Sequence, residues 1–417
     1  MTTIDALLGE EIMQRVELLA AHTEQPGMLT RTYMSTAHQD AAGQIAAWMR
    51  EAGMTVRSDA AGNVIGRYEG LTPDAPALLT GSHYDSVRDG GRYDGPLGIL
   101  LPIACVSAWH RLSRRFPFPL EVVAFSEEEG VRFKATLLGS RALAGTFDTR
   151  VLDNIDDGGK TMRDAMRGAG YEPDDLPAAV LPRNRVAAFV EVHIEQGPVL
   201  LDEKLPLGIV TAISGATRFM LELDGMAGHA GTVPMQSRRD AAMAGAEIGL
   251  FIEQRCQAEL GLVGTVGQFT VPNGAANVVP GRALLSIDIR AGEDAVLRAA
   301  VDDVRAAINA ICARRGVRVT LRKTYEAVSV ACADWLQAQW ADALRRCGIP
   351  QRRLPSGAGH DGMAMAAITD IAMLFVRCGN GGISHHPSET MSTEDAALAA
   401  RVFIDFVEHF SVPAVCD

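Results

Sequence analysis

Five short stretches of the chain each carry one or two hard, polar side chains of the metal-ligand type in a Gly-rich setting. They are Gly81-Ser82-His83-Tyr84-Asp85, Arg92-Tyr93-Asp94-Gly95, Glu127-Glu128-Glu129-Gly130, Glu191-Val192-His193-Ile194-Glu195 and Ser384-His385-His386-Pro387. Histidines and carboxylates dispersed in this way suit two zinc or manganese ions and also accept cobalt or nickel, whereas structural zinc favours closely spaced Cys pairs. None of the seven cysteines forms such a pair. Paired ions generate nucleophilic water, so the chemistry expected is hydrolysis.

Each motif also has an ordinary reading. His83-x-Asp85 is the spacing at which a carboxylate can hold the second ring nitrogen of a ligating histidine, yet the pattern alone is common. Asp94 in its Gly-Gly-Arg-Tyr-Asp-Gly loop is either a carboxylate aimed at a metal or a turn aspartate. Glu127, Glu128 and Glu129 follow the apolar run Val122-Val123-Ala124-Phe125, where three carboxylates repel one another unless cations neutralise them. Adjacent residues point differently, so one Glu can bind metal while its neighbour serves as general base. His193 lies in the apolar run 187–194 and by itself could be a satisfied core histidine.

Elements that could position these residues alternate along the chain. Helical spacing covers 9–22 and 37–52, and a helix is expected from 97 to 112. Apolar runs at 63–68, 77–82 and 120–126 read as strands. Alternation of this kind implies a mixed sheet covered by helices, with sites beyond the carboxyl ends of the strands. From Arg218 the pattern becomes βαββαβ: strands at 217–224, 263–270, 283–290 and 317–323, helices at 238–257 and 294–314. That is the ferredoxin-like order. The expected fold is therefore α/β: a discontinuous di-metal catalytic domain of 1–213 and 326–417, with a mixed sheet, interrupted by a ferredoxin-like α+β insert at 214–325. The stretch 169–183 reads as a surface loop.

A net charge of −12 disfavours nucleic acid, which needs a basic surface. The apolar stretch 97–109 is shorter than the roughly 20 residues of a membrane span, and Met1-Thr2-Thr3-Ile4-Asp5 lacks the regions of a signal peptide. Cysteines 105, 256, 312, 332, 347, 378 and 416 are scattered, as expected of reduced thiols. A soluble, cytoplasmic protein is expected, with no nucleic-acid or membrane partner.

The motifs Gly-Ser-His-Tyr-Asp-Ser-Val, Glu-Glu-Glu-Gly, His-Ile-Glu-Gln-Gly-Pro, Gly-His-Ala-Gly-Thr-Val-Pro-Met and Ser-Gly-Ala-Gly-His-Asp resemble, in order, those of the hydantoinase/carbamoylase branch of the M20 metallopeptidase-like amidohydrolases. That branch includes N-carbamoyl-L-amino acid hydrolases, β-ureidopropionases and allantoate amidohydrolases. The resemblance spans about residues 30–410 and implies two divalent ions per subunit. One would be held by His83, Asp94 and His193, the other by Asp94, Glu129 and His385, with Asp94 bridging, Glu128 as general base and Asp85 behind His83. Here His386 stands where the family commonly has Asn, so either histidine could supply the last ligand; register favours His385. The resemblance further implies that His229 stabilises the reaction's oxyanion, and that Asn277 and Arg290 bind the substrate's amide and carboxylate, with Gln196 and His360 near the same pocket. In the family the insert forms a homodimer interface, which would let such groups reach a neighbouring subunit's metals.

Arg218, in Gly-Ala-Thr-Arg-Phe, resembles the Gly-Gln-x-Arg pattern of allantoate amidohydrolases, with Ala216 in place of Gln. The expected substrate is a small ureido acid, first allantoate (a step of purine catabolism), otherwise an N-carbamoyl-L-amino acid or N-carbamoyl-β-alanine. A metal-binding protein without catalysis is the reading from another class, and retention of Glu128 speaks against it.

Overall fold

The computed structural model describes residues 3–413, so Cys416 and the first two residues of the N-terminal segment lie outside the described part. The chain divides into two compact units, one of Met1–Thr211, Cys332–Leu354 and Gly359–Asp417, the other of Ala212–Ala331 with Pro355–Ala358. The strands are β1 (Thr55–Ser58), β2 (Val64–Tyr68), β3 (Ala77–His83), β4 (Leu120–Phe125), β5 (Val186–Ile194), β6 (Leu207–Ile213), β7 (Gly215–Asp224) and β8 (Gly228–His229). They continue with β9 (Leu262–Thr270), β10 (Val278–Val279), β11 (Arg282–Ala291), β12 (Arg318–Ala327), β13 (Val330–Ala331), β14 (Arg353–Ser356) and β15 (Ile371–Val376).

The sheet of the first unit runs β1-β2-β4-β3-β5-β15-β6, and β14 also pairs to β6. β4, β3, β5 and β15 are mutually parallel, while β1, β2 and β6 join antiparallel. β3, β4 and β15 are buried at every residue, as expected of strands covered on both faces. The helix Leu97–Arg111 packs on β3, β4 and β5, and the C-terminal helix Thr393–His409 packs on it and on β15. Parallel order sends the carboxyl ends of β3, β4, β5 and β15 to one edge, and three of the five motifs lie at or just after those ends.

Residues 169–183 lie largely at the surface, as expected, but are not open loop throughout. A 3-10 turn at Pro173–Ala179 buries Leu176 and Ala179 in a satellite cluster with Tyr33, Phe133 and Met162; the prolines that signal a loop also suit a tight turn folded onto a core.

In the second unit the sheet order is β12-β7-β11-β9, antiparallel throughout. The helices Ala241–Gln257 and Asp294–Arg315 cover one face. Strand alternation turns Phe219, Leu221 and Leu223 of β7 and Leu285, Ile287 and Ile289 of β11 into that core. The other face of β7 and β11 carries exposed or half-buried residues. The first helix begins at 241 rather than 238 because the Asp240 side chain accepts the Met243 N–H as its cap. β12 runs to Ala327, past the expected end at 323, since its pairing with β7 continues to Ala216 beyond an irregularity at Lys323/Tyr325.

Candidate metal centre

His83 closes β3, His193 is the penultimate residue of β5, and Glu127–Glu129 follow β4 by two residues. The loop that brings in Asp94 packs directly on His83: a Cβ at Gly95 would lie 2.4 Å from the His83 carbonyl oxygen, and Gly95 has φ 83°, so glycine is required there. Asp94 Oδ1 lies 3.6 Å from His83 Nε2 and 3.4 Å from His193 Nε2, while its Oδ2 lies 3.1 Å from His385 Nε2. His385 Nε2 is 3.6 Å from Glu129 Oε1. One carboxylate thus faces two sets of potential ligands, His83/Asp94/His193 and Asp94/Glu129/His385, the ligand atoms of each set lying within 4.8 Å of one another.

The histidine tautomers follow from the partners of the other ring nitrogen. His193 Nδ1 is 2.8 Å from the Ile194 carbonyl, a contact that requires an N–H, so Nε2 carries the lone pair. His83 Nδ1 lies 3.3 Å from both the backbone and side-chain oxygens of Asp85. Asp85 does more than hold that ring: its Oδ1 accepts the Glu128 N–H at 3.0 Å and its Oδ2 the Glu129 N–H at 3.2 Å. One buried carboxylate therefore fixes a ligand ring and the loop bearing the other acids. Of the adjacent histidines, His385 points its ring at Asp94 and Glu129, whereas His386 turns Nδ1 to the Ser388 N–H. His385 has φ 54° and Gln196 φ 56°, strained backbone of the kind that gathers at functional sites.

Burial and mutual repulsion dominate the electrostatics. Burial and the neighbouring Glu129 push the Glu128 carboxyl well above the usual carboxylate range. Burial and Asp94 raise Glu129 to about 7. Burial opposes ionisation of Asp94 too, but the imidazoles of His193, His385 and His83 that face it hold it well below its ordinary value. The donors fit divalent cations: they are hard nitrogen and oxygen atoms, and the buried His193 Nε2 has no hydrogen-bond partner despite its proximity to Asp94. A buried acceptor nitrogen of this kind has the chemistry to ligate a divalent cation.

A model of peptidase family M20/M25/M40 matches residues 79–409. The chain belongs to that family. An N-carbamoyl-L-amino acid amidohydrolase of Geobacillus stearothermophilus is 41% identical over 395 residues, 94% of this chain and 96% of that protein. A probable allantoate deiminase of Oryza sativa subsp. japonica is 37% identical over 441 residues, 98% of this chain and 90% of that protein. The crystal structure of an amidase of the hydantoinase/carbamoylase family from Burkholderia multivorans aligns with TM-score 0.90 at 31% identity, covering 96% of this chain and 97% of that one. Within M20 this chain is accordingly an amidohydrolase, a metal-dependent hydrolase of C–N bonds.

The other residues singled out in this M20 member fall into two groups. Gln196 donates from Nε2 to Ser384 Oγ at 3.3 Å, next to His385. His360 is buried edge-on against His193, ring centroids 4.5 Å apart, and forms a ligand-like group with Glu191 and His193; it stands behind a candidate ligand rather than at an exposed surface. His229, Asn277, Arg218 and Arg290 all belong to the second unit. There β8 pairs with β10, and the Asn277 carbonyl accepts the Ala230 N–H at 2.9 Å. His229 Nδ1 accepts the Gly231 N–H at 3.1 Å, which assigns the ring proton to Nε2 and makes that exposed nitrogen a donor.

Two residues escaped the sequence reading. Glu389 is buried, and its Oε1 accepts the Tyr93 and Asp94 N–H groups at 2.9 and 3.2 Å while its Oε2 accepts the Ser384 hydroxyl at 2.6 Å. It ties the Asp94 loop to the His385 loop. Asp288 accepts from both arginines of the second unit: Arg218 Nε at 2.8 Å, and Arg290 Nε and Nη2 at 3.0 and 2.9 Å. Its signal was present, because β-strand alternation puts Asp288 on the same face as Arg290.

Proposed function

We propose that this amidohydrolase cleaves the ureido C–N bond of a small carboxylate, allantoate first, releasing ammonia and carbon dioxide. The observation that carries the reading is the convergence of three histidine nitrogens on the two oxygens of one buried aspartate. Two divalent ions, zinc or manganese, held by His83, Asp94, His193, Glu129 and His385, would polarise the scissile carbonyl and acidify water.

The chain's own residues do the rest. Asp94 presents Oδ1 to His83 and His193 and Oδ2 to His385, and so would serve both ions. Glu128, poised by burial to hold a proton, takes one from the attacking water and delivers it to the leaving nitrogen. Asp85 keeps that carboxylate in place through the backbone. His229, with its proton on Nε2, donates to the developing oxyanion, Asn277 binds the amide, and Arg290 binds the carboxylate. Arg218, stacked over Tyr325 with its centre 4.7 Å from the ring, offers its terminal nitrogens to the second ureido group of allantoate.

N-Carbamoyl-L-amino acids are the second reading, favoured by the 41% identity to a relative so named and by Ala216 in place of Gln. Ammonia release by the zinc- or manganese-loaded enzyme from allantoate, N-carbamoyl-L-amino acids and N-carbamoyl-β-alanine decides between them; activity on peptides alone would refute both.

A homodimer formed through the second unit belongs to the same proposal. β9 is an edge strand bearing exposed Val263 and Phe269, and the adjacent helix exposes Met243 and Leu250, an unpaired apolar edge suited to a second copy of the chain. Sedimentation of the wild type against Phe269→Lys tests it, a monomer for the wild type being the refuting result.

A further inference from the structure

We infer that Asp288 sets the charge of the substrate-carboxylate pocket and thereby selects monocarboxylate over dicarboxylate substrates. The inference rests on the proposal that the substrate is a carboxylate held by Arg290. Alternation along β11 puts Ser286, Asp288 and Arg290 on the face of the sheet that no helix covers, and the antiparallel register sets Arg218 directly opposite Asp288 on β7 and Thr265 opposite it on β9. These residues, with Gly357, line a cavity of about 500 Å³ contained within the second unit.

The hydrogen bonds determine what this cavity can hold. Arg290 spends Nε and one N–H of Nη2 on Asp288 and one N–H of Nη1 on the Gly357 carbonyl at 2.8 Å. Of the five N–H groups of a guanidinium, one therefore remains on each terminal nitrogen, a pair that matches the two oxygens of a single carboxylate. Arg218 is held by Nε to the same aspartate. Asp288 remains ionised: burial works against its charge, but Arg290 and Arg218 together hold it below its ordinary value.

Two guanidiniums and one carboxylate leave the pocket a single positive charge. One substrate carboxylate balances that charge. A second would turn the net charge of the pocket negative and would stand beside the Asp288 carboxylate, a like-charge contact. Asp288 thus orients both arginines and subtracts one of their charges.

The test is Asp288→Asn, nearly isosteric and one charge more positive. kcat/KM is measured for two pairs that differ only by a side-chain carboxylate, N-carbamoyl-L-alanine against N-carbamoyl-L-aspartate and N-acetyl-L-alanine against N-acetyl-L-aspartate. The preference for the monocarboxylate is expected to fall by about tenfold, chiefly through KM, a modest value because the pocket is open to water. Adding Arg218→Gln restores the single positive charge and should return the ratio to near that of wild type, which loss of structure alone would not do. An unchanged ratio in a folded Asp288→Asn enzyme overturns the inference. Should that variant not fold, Arg218→Gln alone makes the pocket neutral and must sharpen the monocarboxylate preference; no change overturns the inference as well. Failure of the ureido reading looks different, since wild type would then cleave only the acetyl pair and the ratio is still read there. With turnover on neither pair, the dissociation constants of propionate and succinate on the metal-loaded enzyme supply the same ratio.

Discussion

The carboxyl edge of the parallel strands in the first unit and the open sheet face of the second both gather ionisable side chains, but the first buries them and the second leaves them half in water. His83, Asp85, Asp94, Glu127 and His193 are each buried, and neighbours set the protonation of the acids at the centre: Asp94 is driven low by three histidines while Glu128 is driven high by burial and Glu129. Arg218 and Arg290 are more open and keep their charge whatever surrounds them. The buried set can hold cations and move protons because small changes in its surroundings alter protonation. The open set can only attract and orient, which is what recognition requires. Removing a member of the first should therefore abolish chemistry, and removing a member of the second should redistribute specificity.

The largest effect is expected from Asp94→Ala, which should lower activity by more than about a thousandfold and empty the centre, because one residue faces both ligand sets. Metal content by elemental analysis checks it: two ions retained would remove Asp94 from the bridging role. Glu128→Gln sharpens the same point, with an expected loss of at least about a hundredfold in kcat while both ions stay bound.

Glu389→Ala should be milder, weakening metal affinity by about ten- to a hundredfold, since it supports the Asp94 and His385 loops without facing the ions. Glu389→Gln keeps the acceptor for the Tyr93 and Asp94 N–H groups and turns the oxygen facing Ser384 into a donor to that hydroxyl oxygen, and should recover most of that affinity; equal losses in both variants would show that the charge matters rather than the hydrogen bonds. Glu389 also illustrates what a sequence hides. His83, His193 and the glutamate run were legible because each lies at or just after the end of an apolar strand, where parallel topology puts functional groups. The backbone groups of Tyr93 and Asp94 that Glu389 holds are 296 and 295 residues away, and its nearby partner Ser384 does not mark it as different from a solvated acid. Asp288 failed to stand out for a related reason: its alternation with Arg290 was visible, but its alignment with Arg218 depends on a strand register that the sequence does not print. The four strands and two helices of the second unit were legible in outline because half-exposed antiparallel strands alternate clearly, whereas the 3-10 turn Pro173–Ala179, which tucks Leu176 and Ala179 inward, was not, because the same prolines serve an open loop.

In the second unit, Arg290→Ala should weaken every carboxylate substrate by about 2–4 kcal/mol in kcat/KM, leaving the substrate carboxylate and Asp288 without their shared cation. Arg218→Ala should harm allantoate more than a simple N-carbamoyl-L-amino acid, by about tenfold. Steady-state kinetics on both substrates reads the difference, and equal losses would undo the case for allantoate.

The smallest effect concerns stability rather than rate and probes whether burial in the first unit costs acid resistance. His38 is fully buried, its Nε2 lies 2.6 Å from the Ser126 carbonyl, and its ring stacks on Tyr84 at 4.4 Å, so it backs the two loops that carry Asp85 and Glu127–Glu129. Burial lowers its pKa from 6.5 to about 4. A depressed folded-state value means that the unfolded chain takes up the proton first. The stability contributed by the neutral ring is thus fully present above about pH 6.5 and is lost progressively as the pH falls towards 4. At pH 5 the loss from this one group is on the order of 2 kcal/mol. His38→Gln keeps a donor for the Ser126 carbonyl but cannot titrate, so its thermal midpoint should fall less between pH 7 and pH 5 than that of wild type. A parallel fall in the two proteins would mean that the acid sensitivity of this unit resides in its carboxyls and not in the histidine behind them.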